Sequence, residues 1–147
     1  MRDDAFYWEG LAVGELRLRV CDGCGRAACP PRPGCPHCGD PNGRVRVASG
    51  EGRLHSWTVC HVAFDPAFAA DVPYVVGVVE LPEGARILAR IEEVEVEALR
   101  DGLKLQVRWQ PDRSAPAQAG EEGMVLRRLV FVPAAASDAE KGRDRDG

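Results

Sequence analysis

The feature that most constrains this chain is a pair of Cys-x-x-Cys turns. Cys21 and Cys24 form the first turn, and Cys35 and Cys38 form the second after ten intervening residues. Two residues between the cysteines allow both sulfur atoms of one turn to reach a single ion, and four thiolates complete the tetrahedral shell that zinc prefers. The spacing therefore predicts a zinc ribbon in which all four cysteines hold one structural zinc.

Other uses of these cysteines fit the pattern less well. Disulfides belong to exported chains, and the first residues lack the apolar core of a signal peptide. A redox site needs one Cys-x-x-Cys on a strand-to-helix turn, and a catalytic zinc keeps one coordination position open. His37 could replace a cysteine ligand, but its place inside the second turn favours a position outside the metal shell. Cys29 and Cys60 are interpreted as small, buried or half-buried apolar residues.

Composition excludes several classes of protein. With 147 residues, 45% of them apolar, the chain can bury a core as one domain or as two small units packed together. No apolar run is long enough for a membrane-spanning helix, and the chain is expected to be cytoplasmic. The net charge is −4, and the excess of basic residues is largest in the cysteine-rich segment. Because nucleic acids and anionic membranes require a basic face, neither partner is expected.

Hydrophobic periodicity predicts a mainly β chain in four parts. Residues 1–14 are predicted to hold a short amphipathic helix, with Asp3 or Asp4 as its N-cap and Gly14 at its end. Residues 15–49 are predicted to form the zinc ribbon, between alternating strands at 16–20 and 44–47. Residues 134–147 combine small and charged residues and are predicted to be a disordered tail.

Residues 50–133 are predicted to form an OB-fold barrel. The segment contains five strand-like runs, at 52–62, 73–81, 85–91, 103–109 and 125–132. A short helix at 96–100 is predicted between the third and fourth strands, which is the element order of an OB fold. Two long loops, at 63–72 and 111–123, would flank the binding face that such barrels use.

With these residues in place, the sequence resembles a known family. This is the acyl-CoA-associated family with an N-terminal rubredoxin-like zinc ribbon and a C-terminal OB fold, formerly a domain of unknown function. The similarity runs over about residues 5–132. The matching stretches are Phe6-Tyr7-Trp8-Glu9-Gly10-Leu11, Gly14-Glu15-Leu16, Cys21-x-x-Cys24-Gly25, Pro30-Pro31-Arg32, Cys35-Pro36-His37-Cys38, Gly52, Ser56-Trp57-Thr58-Val59 and Pro73-Tyr74-Val75-Val76.

The resemblance implies a non-catalytic partner of thiolase-superfamily enzymes, in a hetero-oligomer. Such partners are associated with thiolases, sterol-carrier-type thiolases or aldolases, and acyl-CoA hydratases, in pathways such as steroid and fatty-acid degradation. The implied role is to help bind or channel the enzyme's acyl-CoA. On this hypothesis the candidate phosphate contacts are Arg26, Arg32 and Arg44, and the candidate apolar contacts in the loop are Phe64 and Phe68.

Three alternatives stay open for individual features. The aromatic side chains Phe6, Tyr7 and Trp8 either cover the protein's own core or dock on a partner. A zinc ribbon with an OB fold could instead be a nucleic-acid-binding module, although residues 50–99 contain nine acidic and three basic residues. His55 and His61 would share one strand face, but without a nucleophile a catalytic role is not expected.

Overall fold

The computed structural model describes residues 4–112 and 127–134. It begins with helix α1, Ala5–Val13, which ends where Gly14 adopts a left-handed conformation and donates to the carbonyls of Gly10 and Leu11. Asp4 stands at the predicted N-cap position, but its carboxylate accepts a hydrogen bond from the Trp8 indole at 3.0 Å instead of capping a backbone N–H. The helix packs against the first and last strands of the fold.

The cysteine-rich segment forms a three-stranded antiparallel sheet. Its strands are β1 (Arg17–Cys21), β2 (Ala27–Ala28) and β3 (Gly43–Val47), in the order β2-β1-β3. The alternation of residues in β1 reflects the burial of Leu18 and Val20 on one face. The two predicted strands are confirmed within one residue at each end. Strand β2 was not predicted, because two residues are too short for a periodic signal.

The following strands form a closed barrel. They are β4 (Glu51–Cys60), β5 (Tyr74–Glu80), β6 (Arg86–Ile91), β7 (Lys104–Pro111) and β8 (Arg127–Pro133), in the order β4-β5-β6-β8-β7. The β6–β8 pair is parallel, and the other pairs are antiparallel. A 3-10 helix, Val96–Ala98, stands between β6 and β7. This topology confirms the predicted OB fold.

Ribbon and barrel share one apolar core. The buried cluster joins Leu16, Leu18 and Val20 of the ribbon segment to barrel side chains such as Leu54 and Phe131. Both Leu18 and Phe131 are fully buried. Burial of a leucine or phenylalanine contributes about 1.5–3 kcal/mol, so this shared cluster holds the ribbon on the barrel. The exact boundary between the ribbon and the barrel, at residues 49 and 50, stays a prediction.

Two regions differ from the predictions or fall outside the described residues. The loop between β4 and β5 contains a 3-10 helix, Pro66–Asp71, capped by the Asp65 carboxylate at 2.9 Å from the Ala67 N–H. Most of the predicted 111–123 loop, the start of the predicted last strand and the tail beyond residue 134 lie outside the described residues. Within the described part of the chain, no helix is long and apolar enough to cross a membrane.

Candidate metal centre and contact surfaces

The four predicted ligands meet at one point. The sulfur atoms of Cys21, Cys24, Cys35 and Cys38 all lie within 4.8 Å of one another. The Sγ atoms of Cys21 and Cys38 are 3.5 Å apart, and those of Cys24 and Cys35 are 3.6 Å apart. Four sulfurs at about 2.3 Å from a tetrahedral zinc are separated by about 3.8 Å. The four cysteines are therefore clustered for metal binding, and four soft donors fit zinc.

The two cysteine turns have the same backbone geometry. In the first turn, Gly25 donates to the carbonyl of Cys21 at 2.9 Å, and in the second Gly39 donates to that of Cys35 at 2.9 Å. Both glycines have positive φ, +72° and +81°. A side chain would strain this conformation, so glycine follows each pair. Each turn thus presents its two sulfurs to the centre in the same way.

Backbone N–H groups prepare the sulfurs for a cation. The N–H groups of Cys38 and His37 point at the sulfur of Cys35, and they lower the pKa of that thiol to about 6. The Asp40 N–H lowers the pKa of Cys38, but hydrogen bonding to Cys21, burial and the remaining cysteines outweigh it and raise that pKa to about 12. Four thiolates this close would repel one another, and a divalent cation among them would supply the compensating positive charge.

His37 lies outside the sulfur cluster, as its position in the sequence suggested. Its backbone N–H is 3.4 Å from the Cys35 sulfur, while its ring Nδ1 is 3.3 Å from a guanidinium nitrogen of Arg26. The ring is not among the potential metal ligands in the described residues. Arg26, a candidate phosphate contact, therefore lies over the second cysteine turn.

Of the other two candidate arginines, Arg32 lines a small pocket together with Arg26, and Arg44 does not. Arg32 lines a groove of about 380 Å³ between the ribbon loop and the β5–β6 turn, together with His37 and Arg86. Arg44 lies on β3 and is 3.5 Å from the exposed carboxylate of Asp22. The three arginines were predicted as phosphate contacts from their charge, and in the fold Arg26 and Arg32 lie around one pocket of the ribbon.

Phe68 lies between two arginines and is partly buried. The guanidinium of Arg90 is 5.8 Å from the centre of its ring, and that of Arg128 is 5.1 Å away. Arg90 also lies 4.5 Å from the ring of Tyr74 and forms an ion pair of 3.0 Å with Asp71. These contacts join the β4–β5 loop to strands β6 and β8. They hold the loop in one position.

Phe64 has the opposite environment at the tip of the same loop. Its side chain is 96% exposed, and the nearby Val62 is 65% exposed. Contact with water does not stabilise a phenylalanine side chain. The loop that carries Phe64 is held in place by Phe68 and Asp71. Phe64 is therefore free of intramolecular packing and available for contact with another molecule.

The aromatic helix covers part of the protein's own core, and one of its rings stays exposed. Tyr7 packs against the shared core, and its hydroxyl lies beside the thiol of Cys29. Burial, reinforced by that thiol, raises the pKa of Tyr7 to about 12, and burial raises the pKa of Cys29 to about 11. Trp8 remains 46% exposed. The Tyr7–Cys29 contact joins α1 to the ribbon, and no sequence pattern pointed to it.

The two histidines of β4 do not form a site. A β-bulge between Leu54 and Ser56 interrupts the alternation at His55, and β4 ends at Cys60, before His61. The expectation that both side chains share one strand face is therefore wrong. His55 is 3.3 Å from the carboxylate of Glu80, and both side chains are exposed. Neither histidine contacts a nucleophilic side chain in the described residues.

Family models match both parts of the chain. Residues 8–42 match the rubredoxin-like zinc ribbon domain of ChsH2, and residues 45–110 match the C-terminal OB-fold domain of ChsH2. A DUF35 domain-containing scaffold protein of Methanothermobacter thermautotrophicus is 32% identical over 115 residues, which cover 77% of this chain and 82% of that protein.

A longer relative matches as well. A probable enoyl-CoA hydratase alpha subunit of Thermomonospora curvata is 34% identical over 108 residues, which cover 74% of this chain and 33% of that protein. This chain thus spans about a third of the length of that relative.

Solved structures extend the likeness to three dimensions. A chain of the Ltp2-ChsH2(DUF35) aldolase is 32% identical, with a TM-score of 0.72 over 92% of this chain and 97% of that one. A DUF35 protein of unknown function from Sulfolobus solfataricus, 16% identical, shares the fold with a TM-score of 0.57. The chain therefore belongs to the DUF35 family of ChsH2-type proteins, in which a rubredoxin-like zinc ribbon precedes an OB fold.

Proposed function

We propose that this chain is a non-catalytic subunit that binds a thiolase-superfamily enzyme and helps it to bind or channel an acyl-CoA substrate, as in steroid or fatty-acid degradation. The observation that carries the proposal is the likeness to a chain of the Ltp2-ChsH2(DUF35) aldolase, which this chain covers almost completely. Relatives of similar length are named scaffold proteins, which supports a role in assembly. The cytoplasmic location stays a prediction.

The metal centre has a structural role in this proposal. Cys21, Cys24, Cys35 and Cys38 would hold one zinc, and four thiolates leave no position open for a substrate. The ion would fix both cysteine turns, and with them the sheet that packs on the barrel. Its chemistry is therefore to stabilise the ribbon rather than to activate water or a carbonyl group.

The contact surfaces support binding of a partner and not catalysis by the chain alone. Phe64 stands fully exposed on a fixed loop, and Trp8 is exposed on α1. Burying an exposed phenylalanine in a partner pocket contributes about 2 kcal/mol. In the described residues, by contrast, no histidine or carboxylate is paired with a nucleophile.

The groove lined by Arg32, His37 and Arg86 is the best candidate for the phosphates of CoA.

Co-expression with a thiolase-superfamily enzyme from the same organism tests the proposal. We expect one stable complex in size-exclusion chromatography, with acyl-CoA turnover only when the enzyme is present. Phe64→Ser should weaken the complex without changing the zinc content. Separate elution at micromolar concentration, together with full activity of the enzyme alone, would reject the proposed function.

A further inference from the structure

The outer strand of the ribbon sheet, β3, has a free edge. It pairs with β1 over all five of its residues, and no other strand in the described residues pairs with its second side. The register runs without a bulge from Gly43 to Val47, and the strand contains no proline. A bulge or a proline is one way in which proteins protect an edge strand, because a regular edge offers a row of unpaired N–H and C=O groups.

The register shows which backbone groups face outward. Ala48 donates to the carbonyl of Leu16 at 2.8 Å, and Asp22 donates to that of Asn42 at 3.1 Å. In an antiparallel ladder the bonded pairs alternate, so Arg44 and Arg46 are the β3 residues bonded to β1. The N–H and C=O groups of Val45 and Val47 consequently point away from the sheet. They can pair with a strand from another molecule.

The side chains of β3 define what such a strand must contain. Val45 and Val47 are each 50% exposed on one face, and Arg44 and Arg46 are exposed on the other. Arg44 has only the 3.5 Å contact with Asp22, and Arg46 has no carboxylate within 4.0 Å in the parts of the chain described. A complementary strand therefore alternates acidic and apolar residues, with its acids opposite the arginines.

A second copy of this chain is a poor occupant of the edge. If two β3 strands paired about a two-fold axis through Val45, Arg44 of each would face Arg46 of the other. Like charges directly opposite each other destabilise a sheet. The arginines thus protect the edge against self-association and leave it open to an acidic strand.

We propose that the β3 edge binds an extended acidic segment of the partner enzyme by strand addition, with apolar residues of that segment against Val45 and Val47. The proposal rests on the function proposed above. Main-chain hydrogen bonds supply the affinity in this mode of recognition, and the alternating side chains supply the selectivity. Two independent changes, one in the backbone and one in charge, separate these contributions.

Val45→Pro removes an outward N–H that does not bond to β1, and proline is tolerated at such edge positions. We expect the dissociation constant of the complex to rise at least about tenfold. The matched control, Val45→Thr, keeps the N–H and a β-branched side chain, so it should bind nearly as well as the unaltered chain. Zinc content and circular dichroism report whether each variant is folded.

Arg46→Glu tests the charge without touching the backbone. It should weaken binding at least about tenfold and reduce the dependence of affinity on salt. Arg100→Glu, which makes the same change in net charge at an exposed site on the barrel, is the control and should have little effect. This pair of variants remains decisive if Val45→Pro does not fold.

Hydrogen exchange supplies the direct readout. The amides of Val45 and Val47 should exchange quickly in the free chain and slowly in the complex. Protection of both amides in the free chain would overturn the proposal, because the edge would already be covered. A complex that tolerates both Val45→Pro and Arg46→Glu would also overturn it while leaving the proposed function intact. If the unaltered chain forms no complex at all, the proposed function fails instead.

Discussion

The two phenylalanines of the β4–β5 loop make a matched test of how that loop is held. Phe68 is half-buried between Arg90 and Arg128, whereas Phe64, four residues earlier, is 96% exposed. Complete removal of a buried phenylalanine costs about 3–5 kcal/mol, so a half-buried ring is worth about 2 kcal/mol. Each cation–π contact adds about 0.5 kcal/mol. Phe68→Ala should therefore lower the free energy of unfolding by about 3 kcal/mol, and Phe64→Ala should leave it unchanged.

Urea denaturation followed by tryptophan fluorescence measures both variants. The free energy of unfolding falls by about 2 kcal/mol per molar urea. Phe68→Ala should therefore lower the urea concentration at the midpoint of unfolding by about 1.5 M and leave that slope unchanged. The reasoning is refuted if Phe68→Ala stays within about 0.5 kcal/mol of the unaltered protein, since the ring would then contribute nothing to the fold. Equal destabilisation by Phe64→Ala would refute it as well, because that side chain has no intramolecular burial to lose.

Three further predictions concern the metal, a thiol and the barrel interior. Elemental analysis should find one zinc per chain, and Cys35→Ser should lose most of it and loosen the ribbon, since metal binding is coupled to folding in such small sites; full zinc content in that variant would contradict this. The pKa of Cys29 is raised to about 11 from about 9, so its contribution to stability is complete below pH 9 and declines as the pH rises toward 11; Cys29→Ala should flatten this alkaline decline in thermal melts. In Gly77→Ala the new Cβ would lie 2.7 Å from Leu54 and 3.0 Å from Ile91. The free energy of unfolding should therefore fall by about 1–3 kcal/mol, and the melting temperature should fall with it. An unchanged melting temperature would show that the barrel interior can rearrange to accept the methyl group.

Local sequence signals predicted much of this molecule. The four metal cysteines were identified because their spacing within each turn reflects the reach of two side chains toward one ion. Strand β5 was identified because its segment is rich in β-branched residues, and β7 because apolar and polar residues alternate along it. Each of these signals lies within a few consecutive residues.

The remaining features depend on contacts between distant residues. The arginine neighbours of Phe68 could not be predicted, because Arg90 and Arg128 reach its ring only after β6 and β8 pair. The contact between Tyr7 and Cys29 likewise requires α1 to fold back on the ribbon. The bulge at His55 depends on the register between β4 and β5, which the sequence of one strand does not determine.

The position of α1 has a consequence for how the chain folds. The helix packs against β1, which follows it directly, and against β8, the last strand described. During synthesis, more than a hundred further residues must therefore be translated before the second contact of the helix is available. Strand β8 also closes the barrel between β6 and β7. Because contacts of such long sequence separation form late, we expect barrel closure and docking of the helix to occur together after translation, with apolar surface exposed until then.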